Sequence, residues 1–297
     1  MHFSDQTGYE FELKEKPVNI VSLVPSQTEL LFDLGLEEEV KGITKFCIHP
    51  SQWKTTKTMV GGTKKIRMET IESLHPDLII ANKEENTKEE IEYLRQHYPV
   101  YTSDINDLDD ALKMISDVGI IVDKEEAANS IIGEIRKSFD SLRSMPQTHK
   151  IPQQENHDPK AANGKKNYKD EGLKVAYLIW RNPYMAAGSQ TFIHSMIEAC
   201  GWKNALEDFP RYPEVQLNSE ILAGHNLPDL SNADIILLSS EPYPFDQKHI
   251  DEIQSFLPGK TILLVDGEMF SWYGSRLLKS AAYFSSLNDQ IHDLIGR

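Results

Sequence analysis

The sequence predicts an α/β protein: two α/β lobes with mainly parallel sheets, joined by one long helix. Three observations predict it. Short, apolar, β-branched runs alternate with helix-like runs before residue 107 and again after residue 172. Residues 107–145 repeat apolar side chains at steps of mostly three or four, through Leu108, Leu112, Ile115, Val118, Ile131, Ile135, Phe139 and Leu142. That is the period of a helix with one buried stripe. The two halves also echo one another: His75-Pro76-Asp77-Leu78-Ile79-Ile80 has a counterpart in Asn232-Ala233-Asp234-Ile235-Ile236-Leu237, and each follows a short helical stretch carrying a glutamate, Glu69 or Glu220. The expected organisation is an N-terminal lobe over 1–106, a bridging helix over 107–145, a polar mobile insertion over 146–172 and a C-terminal lobe over 173–297. A helix inside one large domain is the alternative.

Each element has its own local reason. Residues 1–16 are polar, with room for a short edge strand at 9–13. Residues 19–24 (NIVSLV) read as a buried strand stopped by Pro25. Ser26 with Glu29 three positions on has the spacing of a capping box, and Gly35 ends the helix so begun. Strands follow at 40–44, 77–81 and 99–102, with helices at 68–74 and 87–97 between them and a Gly61-Gly62 turn. Asp107 or Asp109 caps the long helix, and Pro146 lies just past its end. The stretch 146–172 holds too little apolar surface to repay ordering, and His149 and His157 within it are read as solvated. Beyond it, strands are expected at 173–180, 234–239 and 261–266, with helices at 190–200, 219–223, 247–256 and 274–295.

Composition bounds the function. The 297 residues are 39% hydrophobic and 26% charged, with a net charge of −15. Such acidity excludes non-specific nucleic-acid binding, which needs clustered positive charge. No apolar run is long enough to cross a bilayer. The first residues lack a basic n-region, an apolar h-region and a lipidated cysteine, so a standard export signal is not expected in the chain as written. The two cysteines, Cys47 and Cys200, fall in different expected lobes and are read as free thiols. No nucleophile elbow, phosphate loop or dinucleotide fingerprint occurs, so an enzyme is not expected. His194 is read as structural.

Residues 21–31 (VSLVPSQTELL) resemble the opening of the helical-backbone substrate-binding proteins of ABC importers, the class III group that takes up cobalamin, ferric siderophores and haem. Gly61-Gly62-Thr63, residues 71–80, Ala187-Gly188-Ser189 before a helix ending in Ala199-Cys200-Gly201, and residues 215–222 fit the same group in the same order. The resemblance implies two lobes closing only slightly on a small-molecule ligand, which would be a cobalamin-like compound, haem or a ferric siderophore. It implies no covalently bound cofactor, a monomer, an ABC permease as partner and a periplasmic or cell-envelope location. An intracellular corrinoid or metal-complex binding protein without a permease is the alternative, favoured by the absent signal.

Ligand-facing residues are expected on loops at the carboxyl ends of strands. These are Pro25, Phe46, Cys47, His49 and Thr63 in the first lobe, and Trp180, Arg181, Tyr184, Phe270, Trp272 and Tyr273 in the second. The aromatic ones offer flat apolar contact. Arg181 departs from the mostly neutral, aromatic cobalamin-binding pattern; it suits a carboxylate, catecholate or phosphate on a ligand, or else pairs with a structural acid. Thr63 stands where that pattern has a tryptophan. Cys47 and His49 carry donors suited to iron or cobalt, but two donors do not make a resident metal site. Glu69 and Glu220 match the family's pair of glutamates, one per lobe, that dock onto permease arginines.

Overall fold

The structure is a computed structural model that describes residues 1–144, 151–152, 168–169, 172–217 and 227–295. The chain divides into two compact units, Met1–Ser138 with Ser271–Ser280, and Phe139–Phe270 with Ala281–Arg297.

The first unit begins with an antiparallel hairpin, β1 (His2–Ser4) and β2 (Glu10–Glu12). Asp5 anchors it. Its side chain is fully buried and accepts from the backbone of Thr7, Tyr9 and Thr102 and from Arg95 at 2.6 Å. The chain then alternates through β3 (Ile20–Ser22), α1 (Pro25–Asp33), β4 (Val40–Ile43), α2 (Trp53–Thr56) and β5 (Thr58–Met59). A small hairpin, β6 (Gly61–Gly62) with β7 (Lys65–Ile66), leads to α3 (Met68–Ser73), β8 (Leu78–Asn82), α4 (Lys88–Arg95) and β9 (Val100–Ser103). The strands form one parallel sheet in the order β5-β4-β3-β8-β9. Both faces are covered, so β3, β8 and β9 are buried at every residue, which is why they read as unbroken apolar or small-residue runs.

The expected single helix over 107–145 is instead two helices, α5 (Leu108–Ile121) and α6 (Glu125–Arg143). Asp107 caps α5 by accepting from the Asp110 amide at 2.9 Å. α5 ends where Asp123 takes φ +59° and the Lys124 amide reaches back to the Gly119 carbonyl at 2.7 Å. Gly119 makes the corner possible: a Cβ there would lie 2.3 Å from the Ala128 Cβ on α6. The acidic run Asp123-Lys124-Glu125-Glu126 is a helix start hidden inside a continuous apolar period. The capping box is also corrected. Val24 is the N-cap and Pro25 the first helical residue of α1, while Glu29 turns inward to Arg276.

Of the insertion, the described part is the antiparallel pair β10 (Ile151–Pro152) and β11 (Tyr168–Lys169). The rest of it, with His149 and His157, and the helix expected at 219–223 lie outside the described residues.

The second unit contains β12 (Lys174–Trp180), β13 (Met185–Ala186), α7 (Phe192–Ala199), β14 (Lys203–Asn204), β15 (Ile235–Ser239), α8 (Gln247–Phe256), β16 (Thr261–Val265), α9 (Gly267–Ser271) and α10 (Leu277–Ile295). The sheet order is β13-β12-β15-β16, with β14 also on β12; all pairs are parallel except β12 with β13. Its core includes Leu178, Leu206, Leu230, Ile236, Leu238 and Ile253, each side chain stabilising by about 1.5–3 kcal/mol on burial. Thr191 caps α7, accepting from the His194 amide at 3.1 Å, and Gly201 at φ +77° follows the helix. His194 lies beside the Asn204 side chain at 3.2 Å, an arrangement that holds a loop. Residues 271–280 belong to the first unit rather than to the expected C-terminal lobe.

Candidate functional site

In the first unit the loops at the carboxyl ends of β3, β4 and β8 are stitched by buried polar side chains. Asn82 accepts from the amides of Glu84 and Glu85 at 2.8 and 3.0 Å and donates to Ser103 Oγ at 2.9 Å. Asn86 accepts from the Asn82 amide at 2.9 Å and donates to the Thr63 carbonyl at 3.0 Å. These bonds satisfy loop backbone where no sheet partner exists. They fix a rim on which Phe46 is exposed, at 49%, with the Lys45 ammonium 4.8 Å from its ring centre. Pro25 and His49 are half-buried on the same rim. His49 meets Trp272 edge to face at 5.5 Å.

Five expected ligand-facing residues are enclosed. Cys47 is fully buried, its sulfur within 3.1 and 3.2 Å of the Thr28 and Thr44 hydroxyls, and burial pushes its thiol pKa up. It is therefore not placed to meet a metal ion. Cys200 is likewise a buried free thiol. Thr63 is buried beneath its loop. Phe270 lies in α9, and its ring fills the second unit's core against Tyr177 at 4.9 Å and Phe284 at 4.6 Å. Trp272 is 6% exposed and Tyr273 8%, both in the first unit. The Arg276 guanidinium sits 5.2 Å from the Trp272 ring and also binds Glu29 at 2.9 Å. Phe270 follows a strand in sequence, but a short helix, not an open loop, receives it, and Trp272 and Tyr273 come just after that helix.

The second unit presents a denser aromatic group where β12 and β15 end. Trp180 is 41% exposed and meets Tyr243 edge to face at 5.7 Å. Tyr243 contacts Phe245 at 4.8 Å, and Tyr184 stacks on Phe245 at 6.5 Å and 10°. Buried His249 holds the group from α8. Its Nδ1 accepts from the Asp246 amide at 2.9 Å, and its Nε2 is 3.1 Å from the Tyr243 hydroxyl. Arg181 is gripped by Glu252, with nitrogen–oxygen distances of 2.9–3.4 Å. Tyr243, Phe245 and Glu252 escaped the sequence reading. Their signal was present, since Tyr243-Pro244-Phe245 directly follows the strand that ends at Ser239.

Glu69 is exposed in the first turn of α3. Glu220 lies outside the described residues. Among the described residues no group of three or more His, Cys, Asp or Glu is arranged to hold a metal ion. A surface depression of about 450 Å³, bordered by Asn19, Val40, Lys41, Lys57 and Leu74, lies at the amino ends of β3, β4 and β5, away from these loops.

Parallel α/β units with aromatic loops at their strand ends are the build of a protein that binds small molecules. The chain belongs to the periplasmic binding protein family, whose signature matches residues 20–257. It is 27% identical over 229 residues to the uncharacterized ABC transporter substrate-binding lipoprotein YvrC of Bacillus subtilis, covering 75% of this chain and 65% of that protein. It is 24% identical over 204 residues to the vitamin B12-binding protein of Vibrio campbellii, covering 68% and 66%. The chain thus spans just under two thirds of the length of these two relatives. Among solved structures, the periplasmic heme binding protein HutB of Vibrio cholerae aligns over 93% of this chain and 100% of that one, with a TM-score of 0.68 and 18% identity. That is a likeness of fold.

Proposed function

We propose that this chain is a solute-binding protein that delivers a cobalamin-like or other metal-bearing cyclic ligand to an ABC importer. The observation that carries the reading is the placement of exposed or half-exposed aromatic side chains, Phe46, Trp180, Tyr184 and Tyr243, at the carboxyl ends of parallel strands in a member of this family. Flat apolar faces of this kind suit a large ring-shaped ligand. The ligand is cargo, held by non-covalent contact and released whole, and no catalytic step is assigned. Glu69, exposed on α3, and Glu220 are the proposed contacts for a basic permease surface, giving orientation and on-rate through charge. The site of action is outside the cytoplasmic membrane; no described helix is long and apolar enough to cross it.

Calorimetric titration with cyanocobalamin, haem and a ferric siderophore panel tests the reading. Saturable binding to at least one compound is expected. Trp180→Ala should weaken it about tenfold, the order of an exposed aromatic contact, with an unchanged melting temperature. Failure to bind any of them overturns the reading.

A further inference from the structure

Arg181, beside the aromatic group of the second unit, does not face it as a free cation. The two oxygens of Glu252 lie 2.9–3.4 Å from Arg181 Nε and Nη2, a fork-to-fork pair. The two side chains are 29% and 31% exposed, so a solute can reach the pair. The neighbouring cation is matched too: Lys248 Nζ binds Asp246 at 2.8 Å. His249 accepts from the Asp246 amide through Nδ1 at 2.9 Å and is buried beneath Tyr243. Beside Trp180, Tyr184 and Tyr243, the charges of Arg181 and Glu252, and of Lys248 and Asp246, therefore cancel in pairs.

We infer that Glu252 is a specificity-determining residue: by occupying Arg181 it turns this aromatic surface into one that selects neutral ring ligands over carboxylate- or catecholate-bearing ones. The inference rests on the proposed solute-binding function and names its substrate class. An anionic ligand competes with Glu252 for the guanidinium and leaves a carboxylate beside itself. A neutral ligand leaves the pair intact and uses the aromatic faces. An unpartnered guanidinium at the same place would do the opposite, since its planar fork matches carboxylates and catecholates.

The test is the ratio of affinities for cyanocobalamin and haem, whose propionates are anionic, measured for the full chain. The wild type should favour cyanocobalamin. Glu252→Gln frees Arg181 and should shift the ratio toward haem by about tenfold or more, the range of one hydrogen bond to a charged group. The gain should shrink as salt is raised. The double variant Arg181→Met with Glu252→Gln carries no unpaired charge and should return to the wild-type ratio. A wild type that prefers haem, or a Glu252→Gln ratio unchanged from wild type, overturns the inference while leaving the solute-binding function standing. Absence of cyanocobalamin and haem binding in every protein overturns the inference, and failure of the ferric siderophore panel as well overturns both.

Discussion

Glu29 and Arg276 are both nearly enclosed, with side chains 8% and 7% exposed, and their contacts are 2.9 Å long. Burial pushes the Glu29 carboxyl up; Arg276, Lys279 and His49 oppose that. Removing the arginine strands a buried carboxylate, so Arg276→Met should destabilise by about 3–5 kcal/mol in urea unfolding. Pairing it with Glu29→Gln should recover much of that loss. The Arg181–Glu252 pair behaves differently because it is a third exposed. Burial opposes ionisation of Glu252, but the hydrogen bonds and charge of Arg181 outweigh it and hold the carboxyl below its ordinary 4.5. A depressed carboxyl contributes stability above its unfolded value and loses it as pH falls through the folded one. The melting-temperature gap between wild type and Glu252→Gln should therefore be constant near neutrality and close only below pH 4.5. Cys47 and Cys200, both buried with raised thiol pKa values, should resist thiol reagents at pH 8 until the chain is unfolded.

At the scale of elements, the strands were legible because burial on both faces demands continuous apolar runs, as in Ile20–Ser22 and Ile235–Ser239. The corner between α5 and α6 was not. A helix period reports which face is buried, and that face stays apolar across Val118, Ile121, Val122 and Ala128 although the backbone turns. The turn is set by Gly119, where the two helices leave no room for a side chain. Gly119→Val should push them apart and destabilise by about 1–3 kcal/mol, as overpacking does, while Gly133→Val, where a Cβ meets nothing, should cost less. Chemical denaturation of the two variants compares them. Exposure of the loops at strand ends was legible in part. Strand ends located Phe46, Trp180 and Arg181, but whether an aromatic faces out depends on what packs behind it. Phe270 and Trp272 are drawn inward by Phe284 and Arg276, partners that no local pattern announces.

For the whole molecule, charge reversal at Glu69 separates capture from delivery. Glu69→Arg should leave ligand affinity unchanged and abolish uptake in cells that depend on this protein; undiminished uptake would reject the proposed docking. The order of the chain through its two units was hidden from the sequence, because a pairing such as Glu29 with Arg276 joins residues 247 apart. That separation has a consequence for synthesis. The first unit is complete only when residues 271–280 exist, yet Glu29 emerges early. At about 5–20 residues per second, its arginine follows on the order of ten to fifty seconds later. Through that interval a chaperone or a protease meets a first unit that lacks residues 271–280, with its acidic residue still hydrated. Nascent chains arrested shortly after residue 138 should remain open to limited proteolysis, and protection of the first unit should arrive only once residue 280 has cleared the ribosome.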